Sequence, residues 1–225
     1  MTVRQLGVRL NLTDSSRLVL AALDHAFEHM RGDSTGHDPD HLVRVFNMAK
    51  RIGRTEGAEM ERVELVAALH DVEDFKFTFD EHSGSRAALK WLSEHGAEPE
   101  LSQSVARDVA GISFKGAGTR TEPLTLEGMC VQDADRLDAL GAIGIARCFA
   151  YGGAAGRPIH DPEIPVVDIV STKQYLANKG TSINHFYEKL LLLKDRMNTE
   201  AGRSIARERH EFVESFLSEF LDEWG

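Results

Sequence analysis

The sequence predicts an all-α protein, and three observations lead there. Apolar residues recur with a period of about 3.6 along most of the chain, the mark of helices with one buried face. Runs of alternating β-branched residues, which would announce half-buried strands, are nearly absent. Glycine and proline gather in two stretches, SFKGAGTRTEP at 113–123 and YGGAAGRPIHDPEIP at 151–165, which read as loops between periodic segments. The second is long enough to serve as a lid or an interface arm.

Helices are expected over 15–31, 39–55, 60–73, 83–95, 99–111, 126–150, 166–178, 182–197 and 199–223. The first brings Phe27 to the core. The second opens on Asp38 as N-cap with Pro39 as its first helical residue, and turns Val45, Met48 and Ile52 inward near Phe46. Val63 and Val66 mark the buried stripe of the third, with Leu65 and Leu69 as further core residues. In the segment 126–150, Leu137 and Ile145 are core candidates, and Gly141, Ala142 and Gly144 leave room for a neighbouring helix backbone. The final helix carries Ile205, Phe212, Phe216, Phe220 and Leu221 at helical spacing, a packing stripe.

A chain of 225 residues, 42% of them hydrophobic, can bury a full core and is read as one domain over 1–225, its core about 20–198 closed by the helix at 199–223. Thirty-six acidic against 26 basic residues give a net charge of -10, which argues against nucleic acid or an anionic membrane as partner. No apolar stretch approaches the roughly 20 residues of a membrane span, and MTVRQLGVRLNLTDSS lacks the apolar region of a secretion signal. A cytoplasmic location is therefore expected, with Cys130 and Cys148 as free thiols.

Three segments carry unusual polar residues on apolar faces. In ELVAALHDVEDFKF at 64–77, His70 falls on the stripe of Val63 and Val66, with Asp71 beside it. An adjacent buried carboxylate needs a cation or a set of donors, because burying it alone costs several kcal/mol. In GHDPDHLVRVFNMAKRI at 36–52, His41 sits in the first helical turn on the core side, one turn before Arg44. His37 and Asp38 also form a His-Asp pair, which capping explains. In CVQDADRLDALGAIGIARCFAYGG at 130–153, Asp133, Asp135 and Asp138 interrupt an apolar helix, and periodicity alone does not choose the inward one; Asp133 or Asp138 can instead pair with Arg136. Two imidazoles and two carboxylates would make a mixed N/O site that a divalent cation neutralises. Such donors suit Mn²⁺, Fe²⁺, Ni²⁺ or Co²⁺ and tolerate Mg²⁺.

At these residues the sequence resembles the HD-domain phosphohydrolase superfamily, whose pattern is a His, a His-Asp pair and a distant Asp around one metal. The resemblance implies an HD-type helical bundle with His41, His70, Asp71 and, through Ala134-Asp135-Arg136-Leu137, Asp135 as ligands, manganese preferred. The closer resemblance is to the small bacterial YedJ/YpgQ-like group, through HDPDHLVRV, LHDVEDFKF, ISFKG, DADRLDALGAIGIAR and INHFYEKLLLLKDRMNT. Glu73 and Asp74 resemble the acidic pair that assists the attacking water in the alarmone hydrolases, one residue nearer the His-Asp pair than theirs. Arg44, Lys76, Lys115 and Lys189 are the basic residues expected to hold phosphate oxygens.

The implied activity is hydrolysis of a nucleotide or related phosphate compound, foremost a (deoxy)nucleoside triphosphate cleaved to monophosphate and pyrophosphate. The alternatives are 5′-nucleotidase or phosphomonoesterase activity, and nucleotide and metal binding without turnover. Cyclic dinucleotide cleavage is disfavoured, since the Gly-Tyr-Pro signature of that subgroup is missing. A homodimer is compatible with the sequence.

Overall fold

The computed structural model describes residues 10, 12, 14–30, 38–72, 82–112, 124–169, 174 and 178–225. Among these residues the secondary structure is helical throughout, with nine α-helices, two short 3₁₀ turns and no strand. They are α1 (Arg17–His29), α2 (Pro39–Glu56), α3 (Met60–Leu69), α4 (Ser83–Glu94), α5 (Pro99–Ile112), α6 (Leu126–Asp138), α7 (Gly141–Ala154), α8 (Ser182–Glu188) and α9 (Glu200–Trp224). The 3₁₀ turns, Leu190–Leu192 and Lys194–Arg196, lie between α8 and α9. No helix among the described residues is long and apolar enough to cross a membrane.

The chain forms two compact units. The first holds α1 to α5 and α6 as far as Asp135, and the second begins at Arg136 and holds α7, α8 and α9. In the first unit, α3 packs against α1, α2 and α5, while α4 packs on α5. Enclosed in this way, α3 is buried all round: every residue from Val63 to Leu69 lies inside, Glu64 included. That differs from the amphipathic helix its sequence suggests, because a central helix has no solvent face to keep polar. Glu64 is accommodated by an ion pair with Lys50 of α2, whose ammonium also donates to Ser15 Oγ at 3.3 Å.

Local chemistry sets the ends of the helices that matter most. Asp38 Oδ1 accepts from His41 N at 2.8 Å with Pro39 in the first turn, so α2 starts where its cap predicts. Gly57, at φ 74°, ends α2 in the left-handed conformation that favours glycine. Glu59 then caps α3 through its carboxylate on Glu61 N and Arg62 N, which closes a tight helical hairpin.

Several expectations are corrected. The helix expected over 60–73 ends at Leu69, where His70 takes over as cap. The segment 126–150 is two helices, because Leu140 is extended and Gly141 adopts φ 72°, a conformation an L side chain rarely takes. Glycine at 144 admits the carbonyl of Ala139 in the same turn of chain rather than another helix, and Ala142 is exposed. The helix runs on through 151–154, so the second loop is shorter than expected.

Residues 166–169 are not helical: Val167 N donates to Glu188 Oε1, and Asn184 Nδ2 takes the carbonyls of Ile164 and Pro165, so side chains satisfy this backbone instead of a helix. The rest of that expected helix, apart from Gln174 and Asn178, lies outside the described residues, as does the loop 113–123. Past Glu188 the chain tightens into the two 3₁₀ turns, whose three-residue period puts Leu190 and Leu193 inward together. On α9 the buried stripe is Gly202, Ala206, His210, Val213 and Leu217, so Phe212 and Leu221 are exposed instead. Of the expected core, Phe27, Phe46, Leu65, Leu69 and Leu137 are buried and Ile145 is only half-buried. Both cysteines are free thiols.

Candidate metal centre

Three stretches of the first unit deliver their side chains to one place. His41 comes from the first turn of α2, His70 and Asp71 from the end of α3, and Asp135 from α6. His70 Nδ1 donates to Ala67 O at 2.8 Å, so its proton is committed to the last turn of α3 and the Nε2 lone pair faces away. That Nε2 lies 3.4 Å from His41 Nε2 and 3.5 Å from Asp71 Oδ2. His41 Nε2 is in turn 3.3 Å from Asp71 Oδ2 and 3.6 Å from Asp135 Oδ1.

Acceptor faces acceptor here. A proton on His41 Nε2 would point at one neighbour and leave the other contacts as lone pair against lone pair. A cation at the shared centre satisfies all of them. The spacing agrees, since donors about 2.1 Å from one ion lie about 3.0 Å apart at octahedral right angles and about 3.4 Å apart in a tetrahedron. Two neutral imidazoles and two carboxylates carry a formal charge that a divalent ion cancels, and a donor set without thiolate suits Mn²⁺, Fe²⁺, Co²⁺ or Ni²⁺. His41, His70 and Asp71 are buried, whereas the Asp135 side chain remains 27% exposed, so the centre has a closed back and one open edge. An ion held there would polarise a phosphoryl oxygen and acidify a bound water.

Among the three aspartates of α6, Asp135 stands beside the His41 imidazole. Asp133 is fully buried and lies near Cys130, where burial foremost, with the Asp133 charge adding to it, pushes the thiol up to about 12. Asp138 is buried in the second unit and bonds Arg147 at 2.8 Å, while Arg136, itself buried, donates to the Arg196 carbonyl. Arg44 is half-buried one turn after His41. Lys189 is half-buried at the end of α8 and belongs to the second unit. Glu73, Asp74, Lys76 and Lys115, like His37, lie outside the described residues. The sequence reading missed the buried Lys50–Glu64 pair and the fully buried Asp108; an i, i+3 or i+4 apolar stripe interrupted at those positions was the available signal.

The HD domain family matches residues 40–140, a span that contains His41, His70, Asp71 and Asp135. YpgQ of Bacillus subtilis is 37% identical over 186 residues, which cover 82% of this chain and 83% of that protein. A crystal structure from Lactobacillus plantarum is similar at a TM-score of 0.84 and 35% identity, covering 93% of this chain and 98% of that one. An HD-superfamily hydrolase from Bacillus thuringiensis is similar at a TM-score of 0.71 and 40% identity, covering 92% of this chain and 96% of that one. YpgQ has also been solved in complex with ADP, at a TM-score of 0.69 and 31% identity, with coverage of 92% and 96%. The chain belongs to the HD-domain superfamily of hydrolases, within its YpgQ-like group.

Proposed function

We propose that the protein is a metal-dependent phosphohydrolase acting on nucleotides, and foremost that it cleaves a (deoxy)nucleoside triphosphate to the monophosphate and pyrophosphate. The observation that supports this reading is the clustering of His41, His70 and Asp71, with Asp135 Oδ1 3.6 Å from His41 Nε2 at the more exposed edge. The ADP complex of YpgQ supports a nucleotide as ligand. Bound there, a divalent ion supplies a polarised phosphoryl oxygen and a water acidic enough to attack at neutral pH.

The residues divide the remaining work. Ala67 O fixes the tautomer of His70, and the buried wall of His41, His70 and Asp71 keeps bulk water from the back of the site. Asp135 borders the edge from which substrate enters. Glu73 and Asp74, which follow the His-Asp pair after Val72, are assigned to orienting the attacking water and taking its proton. Arg44, Lys76, Lys115 and Lys189 are assigned to the phosphate oxygens, which a protein of net charge -10 must hold through local donors.

The test is to strip the protein of metal and incubate it with a panel of nucleoside mono-, di- and triphosphates and each divalent cation in turn. Pyrophosphate with monophosphate is the expected product. Inorganic phosphate from monophosphates would replace the reading with a 5′-nucleotidase, and tight nucleotide binding with no product under any metal would replace it with a binding protein.

A further inference from the structure

One fully buried carboxylate of the first unit takes no part in the centre described above. Asp108, on α5, accepts from Thr125 N at 2.9 Å and from Thr125 Oγ1 at 2.7 Å. Thr125 immediately precedes α6; its hydroxyl oxygen accepts from Gly128 N at 3.3 Å, and its carbonyl accepts from Met129 N at 2.9 Å. The carboxylate thus holds the residue that caps α6. Packing is equally close, for a Cβ on Gly128 would stand 2.4 Å from Asp108 Oδ1.

Two more anchors act on the same helix. Glu127 Oε1 accepts from Glu59 N at 3.0 Å and its Oε2 lies 3.6 Å from Arg62 Nη1, which ties the first turn of α6 to the start of α3. Gln132 Nε2 donates to Gly111 O at 2.6 Å. A threonine needs no carboxylate behind it to cap a helix, and burying one is unfavourable unless its bonds do something that apolar packing cannot. Apolar surfaces slide and rotate, whereas these bonds fix both the azimuth and the axial position of α6.

We propose that Asp108 is a positioning residue of the metal centre: through Thr125 it sets the orientation of α6, and so the point from which Asp135 meets His41. The inference rests on the metal reading given above. Asp135 lies ten residues beyond Thr125, a lever of about 15 Å, so a tilt of about 4° at the cap moves the carboxylate by about 1 Å. Displacements of that size in a reacting constellation change rates by about 100-fold.

The experiment is calorimetric titration of the full-length, metal-stripped protein with Mn²⁺, well below each variant's melting transition. Asp108→Ala is expected to weaken Mn²⁺ binding by about 10- to 100-fold, the range for a lost supporting partner of a metal site. Thr125→Val, which removes only the bridging hydroxyl, should weaken it in the same direction while folding normally. Asp108→Asn keeps an acceptor for Thr125 N and offers an amide to Thr125 Oγ1, and should restore most of the affinity. Val213→Ala, a buried truncation in the second unit, lowers the melting temperature without moving the affinity. Parental Mn²⁺ affinity in both Asp108→Ala and Thr125→Val would overturn the positioning role while leaving the metal centre standing. Absence of Mn²⁺ binding in the parent protein would overturn the metal reading and this inference with it.

Discussion

The second unit and the metal-centre region of the first use buried polar groups differently. In the second unit, buried or half-buried polar side chains mostly serve the backbone: Arg136 donates to Arg196 O, Arg209 to Leu137 O, and Asn184 to the carbonyls of Ile164 and Pro165. Between them runs an aromatic stack in which Phe149, Phe186, Phe216 and Phe220 meet at 5.8–6.3 Å between ring centroids, continued by Trp224 at 5.5 Å from Phe220. At the centre of the first unit, by contrast, imidazole nitrogens and carboxylate oxygens face one another. Side chains that complete the backbone's hydrogen bonds stabilise a fold, whereas acceptors held against acceptors require something from outside it.

The sharpest way to break this comparison is to remove the facing acceptors. His70→Ala or Asp71→Ala should lower metal affinity by more than the roughly 100-fold that loss of a supporting partner costs, and abolish turnover with it. Helical circular dichroism should survive, because each variant relieves a repulsive cluster. A metal content equal to the parent's, measured after dialysis, would show that the donors are not ligands.

Next in size come two stability changes, one in each unit. Lys50→Met leaves Glu64 buried without its ammonium and should destabilise by about 3–5 kcal/mol, whereas Lys50→Met with Glu64→Leu should recover most of the loss. Phe186→Ala removes a fully buried ring from the aromatic stack and should also cost about 3–5 kcal/mol. Urea unfolding separates them: no recovery in the double variant would show that the charge pair does more than neutralise itself. The Phe186 variant should bind Mn²⁺ as the parent does at temperatures where it is folded.

Much of this was legible in the sequence wherever local chemistry decides. Asp38 and Pro39 start α2, and the stripe of Val63, Val66 and His70 points inward, because caps and periodicity act within a turn or two. Asp133 and Asp135 lie two residues apart, and nothing local says which meets His41; the family resemblance selects Asp135, whose Oδ1 lies 3.6 Å from His41 Nε2. The break at Gly141 was invisible because helix and left-handed turn are both open to glycine. Phe212 and Leu221 were placed inward because five apolar residues fit more than one helical stripe, and long-range packing chose the one through Ala206 and Val213. The non-helical run at 166–169 depends on Glu188 and Asn184, some 20 residues away, which no window of sequence captures.

The smallest expected effect concerns His185 in the second unit. Burial first, then the neighbouring charges of Lys189 and Arg157, push its imidazole down from 6.5 to about 3. In the unfolded chain it takes up a proton near pH 6.5, while in the folded protein it stays neutral, so the unfolded state binds the extra proton as the medium is acidified. Stability from this group is therefore complete above pH 6.5 and is lost as pH falls from there toward 3, by at most about 1.4 kcal/mol per pH unit. His185→Gln removes the ionisable ring, so between pH 6 and pH 4.5 its unfolding free energy should fall less steeply than the parent's, by one proton's worth of slope. Equal slopes in the two proteins would mean that the folded state also protonates this histidine, and that the second unit admits charge more readily than its backbone-serving polar groups imply.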